Sequence, residues 1–122
     1  MSEMIFHITL REAWNAAQKQ GQYTAPSLTS DGFIHGSTRA QVLPVAEKFY
    51  KGQDGLILLV IDPTRLSSRL KWEAPFDGAP PAGVSAGEAF PHIYGPINLD
   101  AVVQVLNLES TADGKFVLPT IP

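Results

Sequence analysis

Six consecutive aliphatic residues, Leu56-Ile57-Leu58-Leu59-Val60-Ile61, limit what this chain can become more than any other stretch. Successive side chains of a strand point to opposite faces, so this run presents hydrocarbon on both. A strand of that kind needs cover on each side and belongs at the centre of a sheet. Pro63 ends it. With 122 residues the chain can enclose one such core but not two ordinary ones, so residues 1–122 read as a single domain.

The flanking segments supply candidates for the cover. Residues 4–9 read as a first strand, and Thr9 with Glu12 forms a T-x-x-E capping box for the helix behind it. That helix carries Leu10, Ala13, Trp14 and Ala17 at helical spacing and stops at Gly21. Residues 23–30 read as a loop, Asp31-Gly32 as a turn, and Phe33-Ile34-His35 as a short strand. Ser37 or Thr38 then caps a second helix reaching Tyr50 or Lys51, which Pro44 should kink or shorten. Residues 70–73 alternate as a strand with one wet face. Residues 75–88 hold three prolines and three glycines, the composition of a mobile flap or binding loop. Further extended segments follow at 90–97, 102–108 and 116–118. Two early helices followed by mainly strands specify an α+β fold rather than a doubly wound sheet.

All three histidines lie in strand-like stretches with a hydroxyl two residues on: His7 with Thr9, His35 with Ser37, His92 with Tyr94. Each pair shares one strand face. A core strand would place aliphatic groups there, whereas imidazole and hydroxyl exchange protons and hydrogen bonds. Three such pairs from distant parts of the chain point to one polar pocket. His7 reads equally as a ring satisfied by a backbone carbonyl, and capping alone accounts for Thr9. Gly36 allows close approach of backbone or ligand. Ser37, Thr38 and Arg39 lie at a helix start, where unpaired N–H groups suit a phosphate or carboxylate, though capping by itself also explains the first two. The rigid Phe90-Pro91-His92-Ile93-Tyr94-Gly95-Pro96 segment is a platform for His92 and Tyr94, or a tight structural turn; its prolines confine it to an edge or a bulge. Glu73 shares a face with Lys71 and Arg69, and a surface ion pair is the favoured reading over a catalytic glutamate.

Several function classes fall away. No cysteine is present, which removes disulfides, thiolate metal sites and cysteine nucleophiles. No apolar run approaches the roughly 20 residues that span a bilayer. The first residues, Met1-Ser2-Glu3-Met4, do not read as a secretory signal, so a cytoplasmic protein is expected. Nine basic residues are scattered against twelve acidic ones, a poor footprint for nucleic acid. No G-x-S-x-G, P-loop or dinucleotide glycine motif occurs, and no H-x-H or H-E-x-x-H spacing supports a metal.

The chain resembles the bacterial and plant family catalogued as domain of unknown function 952. The residues that carry the likeness run nearly its whole length: Ile5-Phe6-His7-Ile8-Thr9, Tyr23 with Pro26-Ser27-Leu28, Gly32-Phe33-Ile34-His35 with Ser37-Thr38, Leu58 to Asp62, Trp72-Glu73, and Phe90 to Pro96. The resemblance implies a split β-sheet related to ADP-ribosyltransferases and RNA 2′-phosphotransferases, which bind NAD or an ADP-ribosylated intermediate in a cleft. On that likeness His7-x-Thr9 falls where a ribose is contacted and His35 where a ring packs near nicotinamide. The glutamate common as a third motif has no assigned counterpart.

These expectations combine into a cleft of His7, Thr9, Ser27, His35, Ser37, His92 and Tyr94 for a nucleotide-like or phosphorylated ligand such as NAD or ADP-ribose. His35 or His92 would be the general acid or base, and Tyr94 would position the substrate. The competing expectation is a non-enzymatic regulatory or protein-binding module with structural histidines.

Overall fold

The computed structural model describes residues 3–75, 84 and 87–120. Most of the 75–88 segment expected to be a flap therefore lies outside the described residues.

The aliphatic run forms β4 (Leu56–Ile61), every residue of it buried. It pairs antiparallel with β1 (Ile5–Leu10) on one edge and β8 (Val102–Asn107) on the other. Its alternation divides the core into two clusters. Ile57, Leu59 and Ile61 pack with Ile5, Trp14 and Ala17, the last two from α1 (Arg11–Gln20). Leu58 and Val60 pack with Phe6, Val42 and Ala46, the last two from α3 (Val42–Phe49), and with Phe116. The doubly covered central strand is thus present, with each buried aliphatic side chain stabilising the fold by about 1.5–3 kcal/mol.

A second antiparallel sheet has the order β3 (Ile34–His35), β6 (Phe90–Tyr94), β5 (Arg69–Glu73). Its Ile34 and Ile93 face the first cluster. Among the described residues a single isolated bridge joins the two sheets: Phe6 and Ser37 exchange backbone hydrogen bonds of 2.8 Å in both directions. One residue earlier, the Gly36 amide donates to the Pro91 carbonyl at 2.9 Å. A Cβ on Gly36 would lie 2.8 Å from that carbonyl oxygen and 3.0 Å from Ile5 Cγ2, so only glycine lets the sheets approach this closely.

Two short ladders complete the fold: β2 (Gln22–Tyr23) with β7 (Ile97–Asn98), and β9 (Glu109–Ser110) with β10 (Phe116–Val117). Among the described residues no helix is long and apolar enough to cross a membrane.

Several local expectations are corrected. β6 is the middle strand of its sheet, not an edge, despite Pro91. The proline's carbonyl, and hence its nitrogen, faces Gly36, just where two-residue β3 has ended, so the missing donor falls outside the ladder. The Thr9–Glu12 capping box does not form; Leu10 is the N-cap of α1 and no side chain caps it. A short helix, α2 (Pro26–Ser30), occupies part of the expected loop, so the described residues hold three α-helices where two were expected. Pro44 lies in the first turn of α3, where its missing N–H would be unpaired anyway, and the chain before it (Arg39–Gln41) is a 3₁₀ turn.

Candidate functional site

The two sheets and α2 enclose a cavity of about 570 Å³. His7, Thr9, Ser27, His35, Ser37 and His92 all line it. Tyr94, Thr38 and Arg39 do not. The expectation of an anion site at the helix start also fares poorly in its geometry. The Ser37 amide donates to Phe6 O, and the Thr38 amide donates to Gln41 Oε1 at 3.0 Å.

One wall belongs to the first sheet. His7 and Thr9 share the face of β1 that carries Ile5, and Tyr23 from β2 reaches over to both. His7 Nδ1 lies 2.6 Å from the backbone oxygen of His35, and its Nε2 lies 2.8 Å from the Tyr23 hydroxyl. That hydroxyl is also 2.9 Å from Thr9 Oγ1. Burial pushes the His7 pKa from 6.5 down to about 4, against the raising effect of the His35 carbonyl. Burial likewise pushes the Tyr23 phenol up to about 12, with Thr9 pulling the other way. Neutral His7 must place its proton on Nδ1, because a carbonyl can only accept. Nε2 then accepts from Tyr23, and Thr9 completes the chain by donating to the tyrosine oxygen. Every polar atom in this wall has a partner inside the protein.

The other wall is built by cross-strand register. His35 on β3 stands directly opposite His92 on β6, and their ring centroids are 5.7 Å apart. Each ring is held by a carboxylate. His35 Nε2 lies 2.8 Å from Asp31 Oδ2, at the end of α2. His92 Nδ1 donates to Glu73 Oε1 at 2.9 Å, and the Tyr94 hydroxyl donates to the same oxygen at 2.6 Å. Those two hydrogen bonds, Tyr94's first, hold the Glu73 pKa below the usual carboxylate range. An ionised carboxylate can only accept, so neutral His92 carries its proton on Nδ1 and its basic lone pair on Nε2. Burial lowers the His92 pKa, partly offset by Glu73, which keeps the ring neutral near pH 7. Phe33 stacks on His92 with a centroid distance of 4.0 Å and fixes the ring's plane.

Sequence reasoning placed Glu73 as a surface partner of Lys71 and Arg69. Strand alternation had already put all three on one face of β5, and register against β6 brings that face to His92 and Tyr94. Asp31 and Phe33 were also missed as site residues. Their signal was present in spacing: Phe33 shares a strand-like face with His35, and Asp31 lies next to the Gly32 turn that returns the chain. Tyr23 carried no signal of its own role. Among the described residues, no group of three histidine, cysteine or carboxylate side chains is placed to hold a metal ion.

Fold and cavity together define a small α+β protein with two antiparallel sheets joined at one bridge. It belongs to the family described as protein of unknown function (DUF952), whose profile matches residues 8–105. Protein CC0527 from Caulobacter crescentus is similar in structure. Its crystal structure is 35% identical over 94% of each chain, with a TM-score of 0.80. Its solution NMR structure, 35% identical, has a TM-score of 0.72 over 92% of this chain and 90% of that one. No curated protein matches the sequence.

Proposed function

We propose that the cavity binds a nucleotide-like small molecule, of the kind represented by NAD or ADP-ribose as substrate, and that His92 and His35 are its acid–base pair. The observation that carries this reading is the second wall: two imidazoles in cross-strand register, each oriented by its own carboxylate, beside a cavity of ligand size. His92 is the general base, because its neutral ring holds the lone pair on Nε2. His35 is the general acid. Tyr94 acts through Glu73, as a positioning residue rather than by touching substrate. His7, Thr9, Ser27 and Ser37 supply the remaining contact surface, with Thr38 and Arg39 beyond it. The junction of two antiparallel sheets at Phe6 and Ser37 supports the likeness to ADP-ribosyltransferases, and a transferase is the enzyme class that likeness favours. The partner on this reading is a small molecule in the cytoplasm, not nucleic acid or a membrane.

Titration with NAD, ADP-ribose and 2′,3′-cyclic nucleotides, followed through the ring resonances of His35 and His92, tests the proposal. Perturbation of both rings is expected, with His35→Ala and His92→Ala each abolishing binding while the protein stays folded. Ligand density in soaked crystals far from all three imidazoles would defeat it.

The second reading, a non-enzymatic module, is favoured by His7 alone, whose two ring nitrogens both bond inside the protein.

A further inference from the structure

We infer that the cavity selects a planar heteroaromatic ring that is neutral or positively charged, and that a phosphate on the ligand adds nothing to its hold. The inference rests on the reading of the cavity as a ligand site and specifies the ligand's charge.

Among the described residues neither lysine nor arginine lines the cavity, and Asp31 is the carboxylate that does. His35 does not supply a net cation, because a proton on its ring is matched by Asp31 at 2.8 Å. None of the undescribed residues is a lysine or an arginine. Residues 76–83 and 85–86 read Phe-Asp-Gly-Ala-Pro-Pro-Ala-Gly and Ser-Ala, which adds one carboxylate and no basic side chain. Lys71 stands opposite His92 in register, yet its Nζ sits 4.8 Å over the Tyr94 ring and it does not line the cavity.

Proteins hold phosphate with arginine, lysine or the open amides of a helix start. Gly36 and Ser37 line the cavity here, and their amides are already bonded to the Pro91 and Phe6 carbonyls; the turn Arg39–Gln41 is not among the lining residues. A phosphate drawn into this cavity would lose water beside Asp31 without gaining a charged donor. The walls suit the opposite kind of ligand. Tyr50 and Phe90 join the histidines around the space, and aromatic faces attract a cation; Phe49 also lines it, with Lys48 Nζ 5.0 Å over its ring. A positively charged ring would meet those faces, and Asp31 would add its charge while the His35 ring is neutral.

Three matched probes decide the matter at neutral pH: adenosine, 1-methyladenosine, whose ring is cationic, and adenosine 5′-monophosphate. Calorimetry on the full chain should rank 1-methyladenosine above adenosine by about three- to tenfold, the range expected for one partly exposed charge and aromatic contact. The monophosphate should bind no more tightly than adenosine. Asp31→Asn, at the end of α2, should remove the advantage of the methylated probe, so that it binds no more tightly than adenosine to the same variant. A thermal melt confirms that the variant is folded. Tenfold tighter binding of the monophosphate, or equal binding of all three, overturns the inference while leaving a ligand site in place. Binding of NAD without any of the three also overturns it. If neither these probes nor NAD and ADP-ribose bind, the ligand-site reading fails and the inference falls with it.

Discussion

His7 and His92 start from the same local pattern, a strand imidazole with a hydroxyl two residues on, and finish in opposite conditions. His7 bonds a backbone carbonyl with one nitrogen and a buried tyrosine with the other. His92 is bonded at Nδ1 by Glu73, and no described residue bonds its Nε2. The difference lies in what reaches each ring. β1 pairs with β4, and Tyr23 of β2, in a separate ladder with β7, closes the His7 ring off. β6 meets β5, whose Glu73 supplies a charge that orients a ring as buried as His7 but leaves Nε2 without a described partner. Identical i, i+2 patterns therefore carry no fixed role; the groups that tertiary packing brings to each ring assign one.

Removing His7 is the most severe test of that contrast. His7→Ala leaves a cavity in the first cluster and strips the His35 carbonyl and the Tyr23 hydroxyl of partners. Together these should destabilise the protein by about 3 kcal/mol, read as a lower urea midpoint with an unchanged slope. A loss under about 1 kcal/mol would show that His7 is no structural group and would erase the distinction.

Acid should expose the same residue. His7 titrates at about 4 in the folded protein and at 6.5 when unfolded. Between those values the unfolded chain binds a proton that the folded one refuses, so stability is complete above about pH 6.5 and declines as pH falls toward 4. At about 1.4 kcal/mol per unit the full loss is about 3.5 kcal/mol, with His92 adding in the same direction. His7→Gln should flatten the decline between pH 6.5 and 4. An unchanged slope in that variant would mean that another group governs the acid limb.

Tyr23→Phe makes a smaller change. It keeps the ring in the core and deletes one hydroxyl, leaving His7 Nε2 and Thr9 Oγ1 without their common partner. The expected loss is about 1–2 kcal/mol. Because that hydroxyl donates to the neutral ring, its loss should raise the pKa of His7, a shift read by proton NMR of the ring.

The parts of this fold that were legible in the sequence are those determined by local period and composition. The Leu56–Ile61 run announced a buried central strand because no other arrangement covers both its faces. Gly36 was recognised as a point of close approach, and the approaching group turned out to be the Pro91 carbonyl. Illegible features depended on which strands become neighbours. Pro91 argued for an edge, and only the two-residue length of β3 explains why a central strand tolerates it. Thr9 followed by Glu12 satisfied a capping rule, yet β1 continues to Leu10 and turns the Thr9 hydroxyl inward to Tyr23. Three histidines were legible as a group, whereas Glu73 was legible only as a face-mate of Lys71 and Arg69. Its register against β6 decides its role, and register is not written in β5 alone.

Glu73→Gln is the mildest change and the sharpest probe of the second wall. The amide keeps the size of the carboxylate and can still accept from His92 Nδ1, so the melting temperature should scarcely move. What disappears is the charge. In the wild type that charge raises the pKa of both groups bonded to it, His92 against the lowering effect of burial and Tyr94 from its ordinary value. Without it both should fall: His92 should become harder to protonate, and Tyr94 should release its proton at lower pH. The two movements share one sign because each group gains its stabilisation, as imidazolium or as un-ionised phenol, from the same negative oxygen. A Glu73 engaged mainly with Lys71 or Arg69 at the surface would leave both titrations where they were. Nitrogen-15 shifts of the His92 ring and the ultraviolet titration of the tyrosines would then show no difference from wild type, and the carboxylate-oriented base would have to be abandoned.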